Sequence, residues 1–181
     1  MMLHDANVHL GHWPYRRLPF TGVEALLARM DALGIERAAV AGSHAVLYRN
    51  AHEANRELAV WIAEHRDRLA PVATLDPNYP GAGDDLAWCA EHLGARALRL
   101  LPRWHGFALS DPEALDLARL AAGRGMTIVV PGRLEDSRQR HRLSPQTDVT
   151  LDEVLAFAAA VPDARLLATE LSLRLDADIL A

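Results

Sequence analysis

Short apolar runs alternate with longer amphipathic stretches along the whole chain. Residues 3–10 alternate as a strand, with Asp5, Asn7 and His9 on one face by the period of two. Residues 21–33 carry helical spacing and meet Gly34, a residue suited to a left-handed C-terminal cap. A second strand is predicted over 37–41, then a helix over 50–65 with Leu58, Trp61 and Ile62 on one stripe. A third strand spans 69–75, closed by Asp76-Pro77-Asn78, and a third helix spans 83–92, followed by Gly94. A fourth strand over 95–101 stops at Pro102. Asp111 and Pro112 fit the cap and first position of a helix running to 124. A fifth strand over 126–130 leads into a polar loop, 132–149. Thr150 with Glu153 three residues on has the spacing of a capping box and opens a helix over 150–160. A sixth strand starts at 165, and 174–180 offers a seventh.

Strand–helix alternation at intervals of about 30 residues marks parallel strands joined by crossover helices. The expected fold class is α/β: an incomplete (β/α) TIM-type barrel of about six parallel strands. A full eight-stranded barrel takes about 200 residues or more, so a single domain over 1–181 is expected to be C-terminally incomplete. An open doubly wound sheet shares the pattern. The glycine-rich phosphate loops that would mark a nucleotide site are missing after the first strand.

Composition narrows the functions. The formal net charge is −5, with no basic stripe, which argues against nucleic acid and anionic membranes as partners. No apolar run reaches the length of a membrane span and no signal-peptide pattern opens the chain, so a cytoplasmic location is expected. The lone cysteine, Cys89, excludes an internal disulfide and reads as a small core residue rather than a nucleophile. All 19 basic residues are arginine, which excludes lysine Schiff-base chemistry and a carboxylated lysine bridging two metals. The segment Trp13-Pro14-Tyr15-Arg16-Arg17-Leu18-Pro19-Phe20 is aromatic and cationic and is expected to lie over the barrel mouth or against a neighbouring subunit.

Several segments together resemble the amidohydrolase-related family of barrel hydrolases and decarboxylases. They are Asp5-Ala6-Asn7-Val8-His9-Leu10-Gly11, Gly34-Ile35-Glu36-Arg37-Ala38-Ala39-Val40, Ala97-Leu98-Arg99-Leu100-Leu101-Pro102, Gly106-Phe107-Ala108-Leu109-Ser110-Asp111-Pro112 and Arg124-Gly125-Met126-Thr127-Ile128-Val129-Val130. The resemblance implies a metal held by two histidines of strand one, one histidine each from strands five and six, and an aspartate from strand eight. Asn7 stands in place of the first histidine and His9 matches the second. Strands five and six end in Val129-Val130-Pro131 and Thr169-Glu170, without histidine. An asparagine carbonyl is a poor zinc ligand.

Replacement ligands are conceivable in the loops that follow the strands. His9, His105, Glu135 or Asp136, and His141 could bind one divalent metal (zinc, iron or manganese), His9 and His141 being the foremost ligand candidates. A metal-free site is the alternative. Asp136, Glu135 and Arg99 are the candidate catalytic groups, Asp136 as base and Arg99 as polariser or carboxylate clamp. Asn7, His105 and Arg133 are candidate substrate-binding groups. Each has a plainer reading: a hydrogen-bonded strand-end histidine for His9, a turn-ordering one for His105, and a solvated charged loop for 133–142. A barrel-interior Arg99 is expected to need an acid, with Asp5 or Asp76 at hand. His44 stands where it could approach the mouth. The implied activity is hydrolysis or decarboxylation of a small polar or anionic substrate. The alternatives are a non-catalytic relative acting as a binding or assembly module, paired with copies of itself through an open sheet edge, and a truncated fragment.

Overall fold

The computed structural model describes residues 2–171. Six parallel strands lie in sequence order in one sheet: β1 Leu3–Leu10, β2 Ile35–Gly42, β3 Leu69–Thr74, β4 Ala97–Arg99, β5 Thr127–Pro131 and β6 Arg165–Thr169. Helices cover the crossovers: α1 Val23–Leu33, α2 His52–Trp61, α3 Ala82–Trp88, one-turn α4 Pro102–His105, α5 Pro112–Gly123 and α6 Leu151–Ala160. Unbroken parallel order with a helix in each crossover between successive strands is the arc of a (β/α) barrel, as the alternation predicts. The proposed seventh strand at 174–180 lies outside the described residues. Among the described residues no helix is long and apolar enough to cross a membrane.

Side chains divide by strand period. The outward face packs under the helices in one core that includes Val40, Leu58, Ile62, Leu69, Leu98, Ile128 and Phe157. The inward face is a thinner layer of small residues, Ala41, Val72 and Val129 with Ala39 and Ala97 against them. Cys89 is wholly buried in the outer core, and burial pushes its thiol up to about 12, as a packing residue requires.

Local signals hold where the physics is local. Gly34 takes the left-handed cap at φ 68°. Thr150 and Glu153 form the reciprocal capping box. Asp111 differs from expectation: its carboxylate makes no cap bond to α5 and instead accepts from the Ala108 amide at 2.8 Å. Strand β1 differs too. Asp5 pairs with Ala38 and Val8 with Val40, so three steps in β1 match two in β2, and the strand accommodates an extra residue. The Asp5 carboxylate caps this irregularity by accepting from the Asn7 amide at 3.0 Å. The irregularity breaks the period of two, so Asp5 and His9 lose the shared face that uniform alternation implies.

Two interior polar features position the strand ends. Asn55 of α2 exchanges a pair of hydrogen bonds with the Thr74 backbone, donating at 2.9 Å and accepting at 2.8 Å, and so completes β3 as a neighbouring strand would. Helix α2 also presses on the end of β2. A Cβ at Gly42 would lie 3.0 Å from the Ala54 carbonyl oxygen, so any larger residue here would have to push α2 back by a few tenths of an ångström.

Candidate active site at the carboxyl ends of the strands

The most deeply buried charge among the described residues is Arg99 at the end of β4, 1% exposed. All its nitrogens are committed. Nε donates to Thr74 Oγ1 at 3.1 Å, Nη1 to His9 Nδ1 at 2.9 Å and Nη2 to the Gly42 carbonyl at 3.1 Å. Four consecutive strands thus converge on one guanidinium. The expected acid partner is not there: the Asp5 and Asp76 carboxylates accept from the Asn7 and Asn78 amides, and among the described residues none forms an ion pair with Arg99. Burial lowers the guanidinium to about 10, partly offset by Glu170, and it remains cationic at neutral pH.

An arginine can only donate, so His9 Nδ1 must offer its lone pair and the neutral ring carries its proton on Nε2. Enclosure, and then the Arg99 charge, push His9 down to about 3. It is a neutral N–H donor at physiological pH.

Glu170 follows β6 directly, at φ 54°, a left-handed conformation that non-glycine residues rarely hold without cause. Its neighbours fix it there. Gly132 donates its amide to the Thr169 carbonyl at 2.7 Å, and a Cβ at Gly132 would sit 2.9 Å from the Glu170 carbonyl oxygen. The Glu170 carboxylate accepts from the Asn7 side-chain amide at 3.1 Å. Although the residue is exposed at its outer side, desolvation raises its pKa above the usual carboxylate value, against the Asn7 hydrogen bond and the Arg99 and Arg133 charges.

A cavity of about 130 Å³ is lined by His9, Ser43, Glu170, Arg16, Thr21 and Leu134, with Trp13 and Phe20 at its wall. The aromatic segment after β1 therefore lies over the mouth, as expected. Gly11 turns the chain out of β1 at φ 102°, and its amide bonds the Thr21 carbonyl at 3.0 Å, closing the strap on itself.

The other sequence candidates lie in or beside the long loop. Glu135 is buried, its carboxylate accepting from Trp13 Nε1 at 3.0 Å and from the Ser144 hydroxyl. Asp136 is half-buried and bound to the Arg138 guanidinium at 2.7 Å and to its backbone amide at 2.9 Å, which hold its carboxyl well below the usual range. Arg133 lies 3.7 Å from Asp148, which also pairs with Arg140. His141 stacks on Tyr15, with ring centres 4.4 Å apart, and Nδ1 accepts from the Leu143 amide at 3.2 Å. His105 is held through Nε2 by the Ala45 carbonyl at 2.9 Å, and burial lowers its pKa. His44 contacts Glu57 at 2.8 Å, and Tyr48 donates to the same carboxylate at 2.6 Å. The structure therefore brings His9, Arg99, Asn7 and Glu170 to one mouth and keeps Glu135, Asp136 and His141 in the architecture of the loop.

The chain belongs to the amidohydrolase family, whose model matches residues 5–170. No curated protein matches it. Among solved structures it is similar to 5-carboxyvanillate decarboxylase LigW from Sphingomonas paucimobilis, at TM-score 0.70 and 12% identity over 92% of this chain and 67% of that one. It is similar to 2,6-dihydroxybenzoate decarboxylase from Rhizobium, at TM-score 0.65 and 16% identity over 92% of this chain and 66% of that one. A dihydroxybenzoic acid decarboxylase from Polaromonas, with bound manganese and the inhibitor 2-nitroresorcinol, gives TM-score 0.66 and 15% identity over 92% and 64%. At these identities the likeness is one of fold. The chain spans about two thirds of the length of these structures.

The residues described here do not fit a divalent metal in the family manner. The expected convergence of His9, His105, Glu135 or Asp136, and His141 is absent. Among the described residues no three histidine, cysteine, aspartate or glutamate side chains gather to hold an ion. Of the family's strand-one pair, Asn7 gives its amide nitrogen to Glu170 and His9 gives its Nδ1 lone pair to Arg99.

Proposed function

We propose that this mouth performs proton transfer on a small anionic carboxylate, in the manner of a decarboxylase. The observation that carries the reading is a cavity lined both by Glu170, whose carboxyl desolvation raises above its ordinary value, and by His9, which the buried Arg99 cation holds from behind. A cavity of about 130 Å³ is somewhat smaller than the roughly 150 Å³ that holds benzene, which limits the substrate to a small acid. The neighbours named for carboxyvanillate and dihydroxybenzoate decarboxylation support the same substrate class by analogy of fold.

In this reading His9 Nε2–H holds a substrate oxygen and Arg99 supplies the positive field behind it. The carbon–carboxylate bond breaks, CO₂ leaves, and the electron pair left on carbon takes the proton of Glu170. Solvent then reprotonates the carboxylate. A carboxyl whose pKa is raised keeps its proton available to a carbanion to higher pH than an ordinary carboxyl does, as protonation of carbon requires. Arg133 and His105 remain outside this set.

The test is CO₂ release from a panel of hydroxybenzoates by the purified protein and its Glu170→Gln variant. Turnover that falls at least about 100-fold in the variant supports the reading, that being the scale of a general acid. Absence of turnover across the panel, or an unimpaired variant, overturns it.

A further inference from the structure

We infer that the Arg99 guanidinium stands in for the divalent cation of this family, fixing His9 as a neutral Nε2–H donor so that the mouth takes the carboxylate of a small acid and no metal. The inference rests on the substrate class proposed above and adds what holds that carboxylate.

The argument starts from hydrogen-bond bookkeeping. Arg99 Nη1 stands 2.9 Å from His9 Nδ1. For His9 to ligate a metal through Nε2, that nitrogen would need its lone pair, and the proton would move to Nδ1. Two donors would then face each other across the same gap. Arg99 cannot readily turn away, because its Nε and Nη2 are anchored on Thr74 Oγ1 and the Gly42 carbonyl. A dication beside a fixed guanidinium would also meet direct repulsion. The geometry that excludes the metal builds an anion site. Arg99 is buried with no carboxylate in ion-pair contact among the described residues, so its charge lacks a close counter-ion. The cavity adjoining it is lined by His9, Ser43, Thr21 and Arg16, groups able to donate to an oxyanion. Glu170 stands across the same cavity, drawn towards Asn7.

The experiment is long-range proton–nitrogen NMR of the full chain labelled in histidine, with His9 assigned by comparison with His9→Gln. Zinc chloride and sodium benzoate are the two probes. The expected result is a bare Nδ1 and a protonated Nε2, unmoved by equimolar zinc and shifted by benzoate. In Arg99→Met the ring should lose its fixed tautomer; the wild-type spectra stand as the test if that variant does not fold. A protonated Nδ1, or zinc displacing the Nε2 proton, overturns the inference and with it the His9 contact to substrate, while proton transfer from Glu170 is decided separately by the turnover of Glu170→Gln. Benzoate that leaves His9 unmoved overturns the anion assignment. Benzoate binding without zinc ligation, together with no turnover of the hydroxybenzoates, would uphold this inference and remove the proposed reaction.

Discussion

The indole Nε1 of Trp13 donates to the Glu135 carboxylate at 3.0 Å, tying the strap over the mouth to the loop after β5 across 122 residues of chain. The bond lies beside a small aromatic cluster in which Trp13 meets Trp104 edge-on at 5.4 Å. Glu135 is buried, so its charge depends on this indole and on the Ser144 hydroxyl. Trp13→Phe keeps the ring and removes the donor. We expect a loss of about 2 kcal/mol, the scale of a hydrogen bond to a charged group. Urea unfolding measures it, and limited proteolysis should show faster cleavage within 132–149.

Gly132 carries the second prediction. An added Cβ would lie 2.9 Å from both the Glu170 carbonyl oxygen and the end of the Leu171 side chain, and the side chain can yield where the backbone oxygen cannot without moving Glu170. Gly132→Ala should therefore displace Glu170 and reduce turnover of any substrate by at least about tenfold, a shift near 1.4 kcal/mol in the barrier. Stability should fall by less than a core truncation costs. Parallel rate and denaturation measurements separate the two effects.

Arg99→Met tests the central cation energetically. The substitution strands acceptors at Thr74, Gly42 and His9, each costing about 1 kcal/mol. Removing a buried charge without a close acid returns part of that loss. We expect net destabilisation of about 1–3 kcal/mol by chemical denaturation. A variant more stable than the parent would show that the desolvation cost outweighs all three bonds.

Stability should fall with acid through His9. Its folded pKa near 3 lies below the unfolded value of about 6.5, so the unfolded chain binds the extra proton between these limits. The folded state therefore loses stability as pH drops from 6.5 towards 3, at up to about 1.4 kcal/mol per pH unit. Above 6.5 the contribution is constant. His9→Gln should flatten this window in urea titrations at stepped pH.

The Glu170 pKa lies above the ordinary carboxylate value, and burial is the first cause. A proton donor is active in its protonated form. Turnover should be steady at low pH and decline as pH rises through that raised pKa, and Glu170→Gln should abolish the decline along with most of the rate. A profile that rises with pH over the same range would assign the base role instead.

Much of the fold was legible because its signals are local. Strand alternation, the Gly34 cap and the Thr150–Glu153 box depend on neighbours a few residues apart, and each appears in place. What failed to show was set by distance along the chain. The run 133–142 reads as solvated charge, yet Glu135 turns inward because an indole far upstream reaches it. Alternation alone puts Asp5 beside His9, and one accommodated residue in β1 undoes it. Arg99 was visible as an interior cation, but its partners proved to be a histidine, a hydroxyl and a carbonyl in place of an acid. Glu170 carried a readable hint in its place after the sixth strand. Its left-handed backbone did not.

The tight seat of Gly42 against Ala54 gives helix α2 a grip on the chemistry without touching substrate. The same glycine supplies the carbonyl that anchors Arg99, and the same helix supplies Asn55 to the strand bearing Thr74. Substitutions scattered along α2 should accordingly converge on one phenotype, a loosened guanidinium. A directed-evolution campaign seeking new specificity could work from the back of the sheet as well as from the cavity wall.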